Sequence, residues 1–200
     1  MRLLFILLIT LLGTQMAKSQ DVMYEICPIK VGEQVPDVSL TDSSKNEVLL
    51  SELTLEKPTV LIFYRGAWCG YCTKHLAELN EIKTEVEKLG YQMLGITVDQ
   101  SSKLQESTKR SQSEIQVYSD SKLEAINAFG LDWQVEEELF NKYKEQYKLD
   151  LEAWSGEDHH SLPVPAIYII KDGIIQFQYV NPNYRSRLKP ETLLAILETL

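Results

Sequence analysis

The sequence predicts an α/β domain in which a central mixed sheet is flanked by helices. The first observation is a nearly continuous apolar run at residues 58–64, which has the length and composition of a strand covered on both faces. The second is an alternation of strands and helices after this run, which requires parallel strands joined by right-handed crossovers. The third is the turn signal Asp172-Gly173 between two strand-like segments near the C-terminus.

The composition is that of one ordinary globular domain. The 200 residues are 44% hydrophobic and 24% charged, which excludes disorder, collagen and repeat arrays. The 20 Lys and Arg residues stand against 29 Asp and Glu residues, for a net charge of −9, so we expect no nucleic-acid partner. Three cysteines are too few for a disulfide-stapled fold, and a chain of this length can bury a core without them.

Residues 1–19 have the pattern of a secretory signal peptide. The apolar run from Leu3 to Leu12 is about half as long as the roughly 20 residues that a helix needs to cross a bilayer. Ala17 and Ser19 supply the small residues expected at positions −3 and −1 of a cut after Ser19. We therefore expect an exported protein, periplasmic or secreted, with no stable membrane insertion after cleavage. The alternative is an uncleaved anchor or an interfacial helix.

After a lead-in at residues 20–30, which belongs to an irregular stretch ending near residue 46, residues 31–200 are predicted to form one domain, because no linker or repeat interrupts them. Residues 73–89 carry apolar side chains at helical spacing, and Gly90 ends that helix. The remaining predicted elements are a strand at 91–98, a polar helix at 101–112, a strand at 115–118, a short helix at 121–129, a hairpin at 166–180 and a last helix from Pro190.

Residues 131–160 interrupt this pattern with nine acids and three bases. Apolar side chains recur there every four residues, at Val135, Leu139, Tyr143, Tyr147 and Leu151. This spacing predicts a long amphipathic helix inserted into the α/β frame. The favoured interpretation is that its apolar stripe covers the core, and the alternative is a lid or partner surface near the functional site.

Cys69 and Cys72 lie where the strand at 58–64 gives way to the following helix. Thiols three residues apart at a helix N-terminus are within reach of each other, and the free backbone N–H groups and the helix dipole favour a thiolate. The pair therefore predicts thiol–disulfide exchange, and helix geometry favours Cys69 as the more exposed, attacking sulfur and Cys72 as the resolving one.

Two structural interpretations of the pair remain open, an inert disulfide and half of a zinc site. The only other candidate zinc ligands are Cys27, His159 and His160, whose spacing does not match a strong zinc signature. We expect the histidines to be ordinary loop residues and Cys27 to remain buried, and the alternatives for Cys27 are pairing between molecules or resolution of a sulfenate on the active pair.

The segment FYRGAWCGYC at residues 63–72 resembles the active-site segment of thioredoxin-fold proteins, specifically the peroxiredoxin-like branch of the alkyl hydroperoxide reductase/thiol-specific antioxidant (AhpC/TSA) family. Residues 31–40 are similar to the family's opening, and residues 162–166 to the place where thioredoxin folds carry a cis-proline. The resemblance covers residues 31–200. It implies a thioredoxin-like fold and thiol redox chemistry with no metal or organic cofactor, with electrons supplied by a thioredoxin-like partner.

The chain also departs from both subfamilies. Peroxiredoxins carry a Pro-x-x-x-Thr-x-x-Cys segment, and overlaying it places Cys72 at the attacking position, Cys69 at the threonine and Arg65 at the proline. The acid that thioredoxins keep six residues before the first cysteine is Phe63 here. The overlay thus favours Cys72 as the attacking sulfur, in conflict with the helix geometry. Peroxide reduction also needs donors and positive charge around the attacked oxygen.

Three side chains are predicted to support the pair. Trp68 would shield it and pack against a substrate, Arg65 would stabilise a thiolate, and Pro165 would be the cis-proline that faces the disulfide. The ordinary alternatives are a core or rim tryptophan, a surface or carboxylate-paired arginine, and Pro163 as the cis residue.

Three further side chains are candidates for a role at the pair. His75 lies one turn beyond Cys72 and is expected to be solvated. Either Arg185 or Arg187, in the loop after the last strand, could reach the site, but the favoured interpretation is that both are ordinary solvent-facing charges.

The favoured function is that of an exported antioxidant enzyme that cycles Cys69 and Cys72 between dithiol and disulfide to reduce hydroperoxides. One alternative is a thioredoxin-like oxidoreductase that acts on protein disulfides without peroxidase activity. The other is a non-catalytic module that binds a partner through the inserted acidic segment.

Overall fold

A computed structural model describes residues 26–200, and the predicted signal peptide lies outside the described residues. Within the described range, no helix combines the length and apolar character needed to cross a membrane. The elements in chain order are β1 (Ser39–Thr41), β2 (Glu47–Leu49), α1 (Leu50–Glu56), β3 (Thr59–Phe63), α2 (Gly70–Glu81), α3 (Lys83–Lys88), β4 (Gln92–Thr97), α4 (Leu104–Ser111), β5 (Gln116–Ser119), α5 (Glu124–Ala128), β6 (Asp132–Gln134), α6 (Glu137–Glu145), α7 (Leu151–Ser155), β7 (Ser161–Pro163), β8 (Ala166–Lys171), β9 (Ile174–Val180) and α8 (Pro190–Leu197).

A seven-stranded mixed sheet occupies the centre, in the order β2-β1-β5-β4-β3-β8-β9. β3, β4 and β5 are parallel neighbours, as the alternation of strands and helices predicts, and the remaining neighbours are antiparallel. β8 and β9 form the predicted hairpin. The predicted fold class, a central mixed sheet flanked by helices, is confirmed.

β3 is buried along its whole length, because both faces of the sheet carry a core. Leu61 and Phe63 belong to one apolar cluster, and Val60 and Ile62 belong to the other, on the opposite face. A strand held on both faces is a rigid base for whatever follows its carboxyl end.

The helix predicted at residues 73–89 consists of α2 and α3, separated at Ile82, whose φ of −101° and ψ of 5° are not helical. α2 starts at Gly70, earlier than predicted, so Cys72 lies in its first turn. The lead-in that was expected to be irregular as far as residue 46 contains β1, which pairs with β2.

The amphipathic helix predicted at residues 131–160 is two shorter helices in the structure, α6 and α7. Lys148 turns the chain between them with a φ of +54°. The Asp150 carboxylate then starts α7 by accepting a hydrogen bond from the N–H of Ala153 at 3.1 Å. β6 and β7 pair with each other on either side of the two helices. We call residues 135–160 the inserted segment below.

Candidate active site

The structure brings the two predicted cysteines together at the carboxyl end of β3. Cys69 is the N-cap residue of α2, and its carbonyl accepts hydrogen bonds from the N–H groups of Cys72 and Thr73 at 2.9 and 3.0 Å. The two sulfur atoms are 2.6 Å apart, with Cys72 as the donor to Cys69 Sγ.

The two sulfurs have different environments. Cys69 is 5% exposed and lines a cavity, whereas Cys72 is 1% exposed and does not line that cavity. The hydrogen bond from Cys72 lowers the pKa of Cys69 to about 6, and Arg65 and Arg187 contribute by their charge. Burial raises the pKa of Cys72 well above its usual value, and its bond to Cys69 adds to the effect. The geometry therefore favours Cys69 as the thiolate, the assignment that helix position predicts and the peroxiredoxin overlay does not.

Arg65 is buried in an aromatic cluster rather than paired with a carboxylate. Its guanidinium carbon lies 5.0 Å from the ring centre of Trp68 and 4.4 Å from that of Tyr184, and Nη2 donates to the Tyr143 hydroxyl at 2.5 Å. No ion pair to Arg65 occurs within residues 26–200. Its positive charge is therefore available to the thiolate of Cys69.

Arg187, one of the two arginines named as alternatives, reaches the other sulfur. Its Nη2 lies 3.5 Å from Cys72 Sγ, and its Nη1 donates to the Ser186 carbonyl at 2.8 Å. Arg185 instead lies against the Tyr184 ring, 5.6 Å from the ring centre. Two cations therefore lie beside the pair, Arg65 near Cys69 and Arg187 at Cys72.

Asp99 is a buried acid at the site that the sequence reasoning missed. It follows β4, and its Oδ2 accepts a hydrogen bond from the N–H of Ala67 at 2.7 Å. The Asp99 carboxyl also interacts with the Trp68 indole N–H, and both groups crowd Gly66, where a Cβ would lie 2.7 Å from Oδ1 and 2.3 Å from the indole nitrogen. Asp99 therefore helps to fix the turn that presents Cys69. Its place at the carboxyl end of a strand beside β3 was the signal that could have found it.

We expect Asp99→Asn to gain stability relative to the unmodified protein as the pH rises from 5 to 8. Burial raises the pKa of Asp99 to about 7, so the folded protein holds a proton there that the unfolded chain releases near pH 4. An acid with a raised pKa weakens folding as the pH rises towards that pKa, and an amide removes this effect, which is worth about 3 kcal/mol.

Urea unfolding of the oxidised protein at pH 5 and pH 8 measures the difference. Asp158→Asn, the same substitution at an exposed position, is the matched control. A relative stability of Asp99→Asn that stays constant or falls with pH would contradict the assignment.

The prediction of a cis-proline beside the pair is wrong. No peptide bond within residues 26–200 is cis, so neither Pro165 nor Pro163 is the cis-proline. The chain around Pro165 is held extended, because the N–H of Val164 donates to the Leu131 carbonyl and the Pro165 carbonyl accepts from the N–H of Asn181. Pro165 lines a small second cavity with His75 and Arg187, not the cavity at Cys69.

His75 is buried, not solvated as expected. Its Nε2 is 2.9 Å from the Leu188 carbonyl, and burial lowers its pKa to about 4.

Cys27 is exposed, where a buried thiol was expected. His159 and His160 contact Ser121 and Glu152, and within the described range no three His, Cys, Asp or Glu residues are grouped to hold a metal ion.

Cys69 opens onto a cavity of about 410 Å³, which we call the vestibule. Its lining residues are Arg65, Trp68, Cys69, Gly70, Tyr71, Arg110, Tyr143, Tyr147, Lys148, Leu149, Trp154 and Tyr184. Trp68 thus lies beside the pair, as predicted. Five lining residues come from the inserted segment, so part of that segment covers the site, while Leu151 and Phe140 are buried in the core.

Comparisons with known proteins identify a family. The model of the AhpC/TSA family matches residues 31–178. Peroxiredoxin bcp1 of Schizosaccharomyces pombe is 30% identical over 105 residues, which are 52% of this chain and 53% of that protein. Peroxiredoxin Bcp of Escherichia coli K12 is 27% identical over 104 residues, 52% of this chain and 66% of that protein. The chain therefore matches about half to two thirds of the length of these curated relatives.

Solved structures share the fold. Reduced Prx3 from Vibrio vulnificus aligns with a TM-score of 0.69 at 18% identity, covering 85% of this chain and 99% of that one. BcpB from Mycobacterium tuberculosis aligns with a TM-score of 0.64 at 18% identity, covering 86% and 98%. At this level of identity the likeness concerns the architecture.

Proposed function

Because the chain belongs to the AhpC/TSA family, with residues 31–178 matching the family model, we propose that it is a thiol peroxidase that cycles Cys69 and Cys72 between dithiol and disulfide. The observation that carries the proposal is the unequal sulfur pair. One sulfur has a lowered pKa and faces the vestibule, and the other lies 2.6 Å away, buried and in contact with Arg187.

In the first step, the Cys69 thiolate attacks the terminal oxygen of a hydroperoxide. The O–O bond breaks, Cys69 keeps the terminal oxygen and its hydrogen as a sulfenic acid, and the departing alkoxide or hydroxide takes a proton from solvent to leave as the alcohol or water. Arg65 is placed to balance the charge that moves from sulfur to the departing oxygen. In the second step, Cys72 attacks the Cys69 sulfur, its proton joins the departing hydroxide as water, and the disulfide forms. Arg187 stabilises the Cys72 thiolate in this step.

We propose a thioredoxin-like dithiol as the source of the two electrons that restore the pair. Cys69 is the sulfur that lines an open cavity, so an external thiolate would attack Cys69 and release Cys72. The partner's second thiol would then displace Cys69 and carry away the disulfide.

Stopped-flow mixing of the reduced protein with hydrogen peroxide and with an organic hydroperoxide tests the proposal. We expect oxidation at least about a hundredfold faster than that of free cysteine at pH 7, because both a thiolate and a positioned cation are present. The Cys27→Ser background removes the third, exposed thiol from the signal. A rate no faster than that of free cysteine would overturn peroxidase activity.

A second candidate function is protein thiol–disulfide exchange without peroxidase activity. It is favoured by one observation, that Cys69 and Arg65 stand where peroxiredoxins have threonine and proline. Rapid reduction of a protein disulfide together with slow reaction with peroxide would select it. The third candidate, a non-catalytic binding module, requires that both thiols titrate near ~8.5 and that the disulfide resists dithiol reductants.

We also propose that the protein is exported and that residues 1–19 are removed. The support is the apolar run and the small residues near Ser19 in the sequence. N-terminal sequencing of protein from separated cell fractions tests it, with Gln20 expected as the first residue outside the cytoplasm.

A further inference from the structure

The vestibule has a charge opposite to that of the chain. The net charge is −9, yet the vestibule is lined by the cations Arg65, Arg110 and Lys148 and by no Asp or Glu. Within residues 26–200 neither Arg65 nor Lys148 has an ion-pair partner, and Arg110 pairs with Glu106. An acidic protein that surrounds one cavity with cations attracts anions to that cavity.

Half of the residues that line the vestibule are aromatic. Six of its twelve lining residues are Trp or Tyr, and they form contacts such as Trp68 with Tyr143 at 6.1 Å and Tyr71 with Tyr184 at 5.6 Å between ring centres. Rings of this kind bind flat apolar groups with little loss of side-chain entropy. The volume of about 410 Å³ falls within the range of small-molecule sites and far exceeds what hydrogen peroxide requires.

The three cations lie at different depths. Arg65 is 4% exposed and acts on Cys69, whereas Arg110 and Lys148 are exposed side chains on α4 and in the turn between α6 and α7. A ligand with its reactive group at Cys69 would therefore extend past the aromatic walls towards these two outer cations. Such a ligand needs a negative charge at the end remote from its reactive group.

We propose that the vestibule selects organic hydroperoxides that combine a flat apolar body with a remote carboxylate. The chemistry rests on the proposed peroxidase function, with the hydroperoxide reduced to the alcohol as Cys69 and Cys72 are oxidised. The recognition rests on the vestibule alone: Lys148, which has no ion-pair partner within the described residues, binds the carboxylate, the rings bind the body, and Arg65 faces the reacting oxygen.

Alkylation of the reduced protein tests recognition independently of peroxidase activity. The Cys69 thiolate displaces iodide from iodoacetate, which is anionic, or from iodoacetamide, which is neutral. The exposed Cys27 is an internal reference within the same chain. At low salt we expect the iodoacetate/iodoacetamide rate ratio, read by mass spectrometry of each peptide, to be about tenfold higher at Cys69 than at Cys27. The pair 4-(bromomethyl)benzoate and 4-(bromomethyl)benzamide should give a larger preference, because the ring also packs on the walls.

Lys148→Gln should lower the rate with the anionic reagent at Cys69 severalfold and change the rate with the neutral reagent much less, so that the preference falls. Lys122→Gln removes the same charge at an exposed position in another cavity and is the matched control. Equal ratios at Cys69 and Cys27, or equal effects of the two lysine variants, would overturn the selectivity.

Hydroperoxide kinetics complete the test. A carboxylated aryl hydroperoxide should have a higher kcat/KM than its neutral amide analogue, and Lys148→Gln should remove the difference mainly through KM. If the alkylation preference is present but no hydroperoxide is turned over, the anionic site stands and the peroxidase function fails. If hydrogen peroxide is turned over without any preference for the anion, the function stands and the selectivity fails.

Discussion

Cys69→Ser is expected to reduce hydroperoxides at least about a thousandfold more slowly than the unmodified protein. A serine hydroxyl does not ionise at neutral pH. Cys72 cannot replace it, because Cys72 is 1% exposed, does not line the vestibule and has a raised pKa. Cys72→Ser should instead keep the first oxidation, because a serine hydroxyl can still donate a hydrogen bond to the Cys69 thiolate. That variant then stops at the sulfenic acid after one turnover.

The two variants are compared in the Cys27→Ser background by stopped-flow mixing with peroxide and by mass spectrometry of the sulfenic acid trapped with dimedone. The expected product is a dimedone adduct on Cys69 of Cys72→Ser and no adduct on Cys69→Ser. The reverse pattern, an adduct on Cys72 of the Cys69→Ser variant with fast kinetics, would assign the attack to Cys72 as the peroxiredoxin overlay does.

The local part of the site could be predicted from the sequence because its signals are local. An apolar run of strand length, two cysteines three residues apart and a following amphipathic stretch define β3, the pair and α2 without long-range information. The choice of the attacking sulfur depends on how deeply each sulfur is buried, which the sequence does not show, so the helix argument favours Cys69 and the overlay favours Cys72. In the structure Cys72 is the more deeply buried thiol. Burial raises the pKa of Cys72, and its hydrogen bond lowers the pKa of Cys69.

The vestibule could not be predicted, because its walls come from distant parts of the chain. Tyr143 is 78 residues from Arg65, whose guanidinium it contacts. Tyr143 follows the four-residue spacing of apolar side chains in the inserted segment. This spacing is the same for a ring that packs on the core and for a ring that lines a site, so it does not distinguish the two. The prediction for Pro165 failed for a different reason. The family pattern predicts a cis peptide bond there, but the peptide bond before Pro165 is trans and backbone hydrogen bonds hold the segment.

The rate of Cys69 alkylation should rise with pH through a midpoint of about 6 and level off above it. The direction follows because the thiolate is the reactive form and its fraction grows as the pH passes the pKa. The hydrogen bond from Cys72 is the largest cause of the lowered pKa, so Cys72→Ala should raise the midpoint most, by about two pH units. Near pH 6 that shift lowers the thiolate fraction about fiftyfold, as the titration relation requires.

Arg65→Met should raise the same midpoint by a smaller amount, about one pH unit, because the charge of Arg65 is a lesser cause than the hydrogen bond. Two conservative variants distinguish these effects from loss of packing. Cys72→Ser keeps a donor at position 72 and should retain most of the depression, and Arg65→Lys keeps a positive charge beside Trp68 and should retain part of it.

Iodoacetamide alkylation of Cys69 between pH 4 and pH 9, with thiolate absorbance at about 240 nm as a second readout, gives the midpoint for each variant. A midpoint near ~8.5 in the unmodified protein would show an ordinary thiol and remove the basis for attack by Cys69. A midpoint that stays near 6 in Cys72→Ala but rises in Arg65→Met would move the cause from the neighbouring thiol to the buried cation. The step that activates Cys69 would then depend on the aromatic cluster that holds Arg65 rather than on the cysteine spacing.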